Sequence, residues 1–435
     1  MNAYAAPQAS AHVLKTPLTR NETFRLRVRQ AALLAGILIS GGLLVIPREP
    51  LLFTILILAV TLKNPLQVFR AEFALIWMVL FAVAGVALIG GESFQLGPMI
   101  VRYANFFAGI ALLLIYIDQR RSTLASDLYP ILKLMAFQAV LTPIVIILFR
   151  DYQTSFTVNN ATYFSVGYIF TYHDLSGSNA LFKRPDGFFF EPGVFQFYLN
   201  VFLYITLFVR RQKWTDVGLA TAAVVATQST TGIVILLLQF AVAYLLWLRT
   251  ADRSQKLGVF VFVPIMLLPL GAYMTYNVTE KFYGQLSGSA EAREYDLRTG
   301  LNVALEQPLT GIGFDYERYY DIASRVGYRD ADLSIENITE RGNTNGIVVL
   351  FYSLGFPLAI IFLLGIFRQR LFRPGLLMAT LVMLSLISES LSFTPIFLML
   401  AFSGLLIQPQ RITSLMGGQQ AARVADGQAV ARRAS

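Results

Sequence analysis

Between residues 183 and 200 the chain reads KRPDGFFFEPGVFQFYLN, which brings cations, an aromatic surface and a carboxylate within a few residues of one another. Lys183 and Arg184 could hold a phosphate, Phe188, Phe189 and Phe190 could stack on a sugar ring, and Glu191 could accept a proton. Pro192 is favoured at the first position of a helix, where its missing N–H is not needed, so Glu191 is expected at the N-cap of an apolar helix. A second reading of the same residues stays open. Glu191 caps the helix, the phenylalanines form an interfacial aromatic belt, and Lys183 and Arg184 snorkel to the water.

A second constellation spans residues 296–320, DLRTGLNVALEQPLTGIGFDYERYY. Leu297, Leu301, Ala304 and Leu305 fall at helical spacing, which predicts a short amphipathic helix on the membrane surface with Arg298 on the neighbouring face. Pro308 ends that helix. Gly311 and Gly313 then make a turn in which backbone could approach a ligand, although a plain turn has the same pattern. Residues 341–345, RGNTN, lead into another apolar run, so Asn345 is expected to cap it and Arg341 could face an anion at its positive end. Arg102 lies three residues inside an apolar run; an intramembrane arginine is either functional or an anchor. Asp330 and Asp332 resemble a metal-binding DxD, but on the outer side of a membrane they would not meet nucleotide sugars. The chain has no cysteine, which excludes disulfides, Fe–S clusters and thiol catalysis, and its two histidines, His12 and His173, are too few for a His-rich metal site; no cofactor is expected.

The elements that must position these residues are membrane helices. Of 435 residues, 55% are hydrophobic and only 14% charged, with a mean hydropathy of +0.58, far from the composition of a soluble domain. No β-barrel alternation appears, and lipid leaves helices as the remaining way across. About twelve spans are expected: 31–46, 51–62, 72–90, 99–117, 129–149, 192–209, 216–228, 232–248, 257–275, 346–366, 375–388 and 392–407. The fold class is therefore an all-α polytopic integral membrane protein. The net charge of +9 is concentrated in alternate loops, which sets both termini in the cytoplasm and argues against nucleic acid as a partner. No cleavage site follows the first apolar run, which reads as an uncleaved span. The organisation is then a cytoplasmic tail over 1–30, spans one to five over 31–149, and a large outer loop over 150–191. Spans six to nine over 192–275, a second outer loop over 276–345, spans ten to twelve over 346–407 and a disordered cytoplasmic tail over 408–435 complete it. Outer loops of 42 and 70 residues exceed what a bare connection needs, so any chemistry is expected there.

In their order, Arg184-x-x-Gly187 followed by Phe190-Glu191-Pro192, Ser229 to Gly232 between two close spans, Arg298 with Pro308-x-x-Gly311-x-Gly313, and Asn345 followed by Gly355 resemble the O-antigen polymerase and ligase family (Wzy-type). The resemblance covers roughly residues 180–360. It implies a GT-C-like glycosyltransferase in the bacterial inner membrane that joins undecaprenyl-pyrophosphate-linked oligosaccharide units at the periplasmic face, with a flippase and a chain-length regulator as possible partners beside membrane lipid. By motif position it gives Arg184 and Arg298 the pyrophosphate, with Arg341 and Arg102 in support. Glu191 is the best-placed base, although a helix N-terminus favours its ionised form and so weakens it in that role. Two departures matter. Ligases of the family carry histidine where this chain has Thr344, which favours a polymerase of O-antigen or exopolysaccharide, xanthan-like polymers included. Some polymerases carry arginine-x-ten-glycine motifs in both loops, and neither Arg184 nor Arg298 has glycine at that distance. A transporter or lipid-linked oligosaccharide flippase is the rival from another class, but it should line its path with charges at mid-membrane depth, where this chain has few.

Overall fold

The computed structural model describes residues 19–41, 47–90, 96–158, 161–173, 183–189, 191–210, 213–249, 287–327 and 343–407, with isolated helical residues between 268 and 279. The expected ninth span, the tail from 408, Arg341 and the Asp330–Asp332 pair lie outside these residues. Thirteen α-helices are described: α1 Arg20–Ser40, α2 Arg48–Leu62, α3 Ala74–Gly90, α4 Leu96–Tyr116, α5 Arg121–Leu148, α6 Pro192–Tyr204, α7 Trp214–Ala226, α8 Thr230–Leu248, α9 Ser287–Glu306, α10 Tyr316–Val326, α11 Gly346–Phe367, α12 Gly375–Ser388 and α13 Pro395–Leu405. The chain is a mostly helical, multi-pass membrane protein.

Among the described residues, six helical stretches are long and apolar enough to cross a bilayer: Ala71–Ile89, Met99–Tyr116, Ser122–Leu148, Pro192–Val209, Thr230–Leu248 and Gly346–Phe367. The first helix departs from expectation at its start. It begins at Arg20, inside the expected tail, because Thr19 and Glu22 form a reciprocal capping box. Its Arg29 then pairs with the buried Asp127 of α5 at 2.6 Å.

The helices α7, α12 and α13 have 13, 14 and 11 residues. At 1.5 Å per residue they are roughly 16 to 21 Å long, well short of the about 30 Å of hydrocarbon. The turns that join such helices can therefore sit below the membrane surface. Packing is closest where small residues meet: a Cβ on Gly404 of α13 would lie 2.0 Å from the Gly365 carbonyl of α11, and one on Gly109 of α4 would lie 2.7 Å from Leu398.

The first outer loop holds a three-stranded antiparallel sheet, β1 Thr154–Val158, β2 Ala161–Val166 and β3 Phe170–His173. Its register pairs Phe156 with Tyr163 and Phe164 with Tyr172, and both aromatic pairs stack. The segment carrying the first chemical constellation is held by this sheet, through a Tyr172–Pro185 bridge and a bond from the Asp186 N–H to the Thr171 carbonyl at 2.9 Å. Of the three phenylalanines in the possible aromatic belt, Phe190 lies outside the described residues and Phe189 is not at an interface. Phe189 is fully buried, stacked on Tyr198 and lying over Gly41 at the end of α1.

Candidate active site

Glu191 is the N-cap residue of α6, with extended backbone and Pro192 at the first helical position, yet its side chain makes no capping hydrogen bond. Its charge acts instead on the neighbouring Glu389. Glu389 closes α12 at its C-cap and is 3% exposed. Its Oε1 lies 3.9 Å from an Arg293 guanidinium nitrogen of α9, at the outer edge of ion-pair range. Burial, and then the charge of Glu191, push the Glu389 carboxyl well above the usual carboxylate range, while Arg293 and Arg184 pull it back.

Two glycines make room for this arrangement. A Cβ on Gly193 would lie 1.6 Å from Glu389 Oε1, and one on Gly346 would lie 2.7 Å from the Glu389 carbonyl. Gly346 is the first residue of α11, directly after Asn345. The expected cap is found there: Asn345 Oδ1 accepts from the Ile347 and Val348 amides at 3.1 and 3.2 Å. The N-termini of α6 and α11 and the turn after α12 thus converge on Glu389.

Arg184 reaches the same region from the loop before α6. Its Nε donates to the Thr227 carbonyl at 3.1 Å, at the C-cap of α7. Beyond Thr227 the chain turns through Gln228, in the left-handed region, to Ser229, whose hydroxyl caps α8. Gly232 in that first turn leaves space for Gln196 of α6, which lies 3.0 Å from its Cβ position. Residues 229–232 are therefore the tight turn that brings α8 against α6.

Arg298 lies on α9 with Arg293, and its guanidinium pairs with Glu294 one turn back at 2.5 Å, both side chains half exposed. The helix is fastened to the start of α11 by its buried Asp296. Its carboxylate accepts from the Thr344 amide at 3.0 Å and from the Thr344 hydroxyl at 2.7 Å, while Asn343 Nδ2 donates to its carbonyl at 2.6 Å. Thr344 is thus a structural tie with no titratable group.

Arg102 is caged. Its guanidinium donates to the Tyr316 hydroxyl and stands 5.3 Å from the Phe393 ring, 5.7 Å from that of Tyr316 and 6.0 Å from that of Phe314. Phe393 belongs to the same turn as Glu389, so residues 389–394 join the carboxyl cluster to the cage. Gly311 and Gly313, both at positive φ, deliver Phe314 to it. Gly311 rests on a break in α11 at Gly355, where the Ile312 amide donates to the Tyr352 carbonyl at 2.7 Å and the Phe356 amide donates to the Pro308 carbonyl at 2.8 Å. The loop thereby satisfies backbone groups that an unwound membrane helix would leave open.

The sequence profile of the O-antigen ligase family (Wzy_C) matches residues 217–339. Over that segment the match supports a likeness to the O-antigen polymerase and ligase family. No curated protein and no solved structure gave a match. The matched family segment holds the 229–232 turn, Arg293, Arg298 and the Gly311–Gly313 loop; Arg184, Glu191, Asn345 and Glu389 lie outside it. Sequence reasoning overlooked Glu389 and Arg293. The signal for Glu389 was a single carboxylate in a three-residue turn between two apolar runs, a position as costly as that of Arg102.

Proposed function

We propose that this protein is a polysaccharide polymerase that joins undecaprenyl-pyrophosphate-linked oligosaccharide units at the periplasmic face of the bacterial inner membrane. The observation that carries this reading is the buried Glu389, seated against Gly193 at the start of α6 next to Glu191, with Arg293 of the family-matched α9 at 3.9 Å and Arg184 in the same region. The reaction needs cations for a departing pyrophosphate and an oxygen base for the acceptor hydroxyl.

In this reading Arg184 and Arg298 bind the pyrophosphate oxygens in the forked geometry that guanidinium allows, with Arg293, Arg102 and Arg341 adding charge. Releasing Arg298 from Glu294 costs about 0.3–0.5 kcal/mol, the worth of an exposed helical pair, so a phosphate readily displaces it. Glu191 faces the acceptor, and Asn345, Gly311 and Gly313 shape the walls. The carrier lipid reaches the site from the bilayer, a flippase supplies it, and a chain-length regulator acts on the product.

Thr344 favours polymerase over ligase. Its hydroxyl is engaged by Asp296, so the position supplies neither a general base nor a cation. The deciding experiment is incubation of purified protein with the lipid pyrophosphate oligosaccharide. A ladder of lengthening products supports the polymerase. Transfer to lipid A without lengthening supports the ligase, and no covalent product at all removes both.

A further inference from the structure

The sheet in the first outer loop has a buried face with an open rim, and the rim carries two aromatic rings that the proposed transfer does not use. Ser165, Thr171 and Tyr163 are buried on that face. Opposite Tyr163 on β1, the half-buried Phe156 stacks on it with ring centroids 5.8 Å apart. Tyr168 stands beside Phe156, 6.1 Å between ring centroids, and is 55% exposed.

The register carries this row to the candidate site. Tyr163 pairs with His173 on β3, and the antiparallel bridge from Tyr172 to Pro185 sets Arg184 opposite His173. The bond from the Asp186 N–H to the Thr171 carbonyl fixes the same alignment. Directly opposed residues share a face of a sheet, so Phe156, Tyr163 and Arg184 belong to one row. Three strand spacings separate its ends, about 14 Å.

Tyr168 also holds a costly conformation. The Ile169 amide donates to the Val166 carbonyl at 3.4 Å, closing a turn whose central residues Gly167 and Tyr168 have φ of 62° and 57°. Glycine or asparagine normally occupies the second central position of such a turn, and a bulky residue there is an outlier. Exposure of the ring leaves packing unable to offset the strain, and strain of this kind gathers at ligand sites.

The rim faces water. β1 is an edge strand, and among the described residues no strand pairs with its outer side. Its outward N–H and C=O groups need hydrogen bonds that lipid does not supply, and its Thr154, Ser155 and Thr157 are exposed. Aromatic rings beside hydroxyls in water suit a pyranose, which presents C–H groups to a ring face and hydroxyls at its own edge.

We propose that Phe156 and Tyr168 form a sugar-stacking subsite for the oligosaccharide of the lipid-linked substrate, at one end of a row whose other end, Arg184, takes the pyrophosphate. This rests on the function proposed above. Both are binding residues and meet no reacting atom, so their loss raises KM and spares kcat.

The test uses the full-length protein in lipid nanodiscs and, as probe, the repeat-unit oligosaccharide freed from its carrier lipid by mild acid. In calorimetric titration, Phe156→Ala and Tyr168→Gly should each weaken binding about tenfold, the worth of one aromatic contact. Phe156→Tyr and Tyr168→Phe should keep it. Glycine suits the turn better than tyrosine, so Tyr168→Gly should melt at or above the wild-type temperature, which separates loss of the ring from loss of the fold. The chain has no cysteine, so Tyr168→Cys takes a single spin label. Its relaxation should respond more to a water-soluble nickel chelate than to oxygen. A stronger response to oxygen would make Tyr168 a membrane anchor and overturn the proposal. Unchanged affinity in Phe156→Ala and Tyr168→Gly, or no binding by the wild type, would do the same. None of these readouts depends on turnover. Loss of sugar binding in both variants, with no ladder from wild type and intact lipid-linked substrate, would leave the subsite standing and overturn the polymerase reading instead.

Discussion

Glu389 rests directly on the backbone of Gly193, with Oε1 1.6 Å and Cδ 2.4 Å from the place where a Cβ would stand. Gly193 is the second residue of α6, a position where alanine suits the helix better than glycine. Gly193→Ala should therefore preserve the helix and displace the Glu389 carboxyl. Displacement by about 1 Å in a reacting site can lower rates roughly 100-fold, and we expect a loss of that order in product formation at unchanged membrane levels. Gly85→Ala is the control, because nothing lies within 4 Å of the added methyl in α3. Wild-type activity in Gly193→Ala would detach the Glu389 position from function.

Arg298 separates geometry from charge. Lysine keeps the charge and loses the planar fork, so Arg298→Lys should cut polymerisation by about tenfold or more, the worth of a charge-assisted bond to phosphate. Glu294→Gln removes only the exposed partner and should shift stability by no more than about 0.5 kcal/mol. A gel ladder read beside a melting curve of the same samples distinguishes the two. Full-length polymer from Arg298→Lys would remove Arg298 from pyrophosphate binding.

The raised proton affinity of Glu389 also predicts how stability depends on pH. The folded protein holds this proton more tightly than the unfolded chain does, so the contribution is fully present below the ordinary glutamate value of 4.5. It is lost as pH rises through the elevated value of the folded state. Wild-type melting temperature should thus fall on the alkaline side, and Glu389→Gln, which cannot ionise, should flatten that slope. Parallel slopes in the two proteins would mean that Glu389 is already charged at neutral pH.

Much of the helical layout was legible because span boundaries are written in one dimension. α6 starts at Pro192, α11 starts after Asn345, and α12 covers Gly375–Ser388, as apolar runs and cap residues indicated. The sheet in the first outer loop was hidden by a lack of contrast, since its aromatic residues face one another rather than alternate against water. Phe189 looked interfacial for the same reason and is core, because Gly41 leaves room for its ring. The carboxyl pair was out of reach: Glu191 and Glu389 lie 198 positions apart in the chain, and neither residue signals its partner. Thr344 was noticed for the histidine it lacks, and only its bond to Asp296 gave it a positive role.

Gly311 and Gly355 meet backbone to backbone, and substitutions there separate contact from strain. Both have positive φ, 62° and 72°, where a non-glycine residue costs about 1–2 kcal/mol. A Cβ on Gly355 would also lie 2.4 Å from the Leu309 carbonyl, and one on Gly311 would lie 2.5 Å from the Gly355 amide. Backbone cannot yield as a side-chain tip can, so the Gly311 loop must leave the break in α11. The Ile312 to Tyr352 and Phe356 to Pro308 bonds would then be lost. Each buried group left open costs about 1–3 kcal/mol, more than the conformational term alone. Gly167→Ala is the matched comparison, with φ of 62° and nothing within 4 Å of the new methyl; it should show only the strain. We expect Gly311→Ala and Gly355→Ala each to destabilise the detergent-purified protein by at least about 3 kcal/mol, and Gly167→Ala by about 1–2 kcal/mol, compared by denaturant titration. Equal losses at all three positions would mean that the loop moves freely off α11, and that the break at Gly355 does not depend on it.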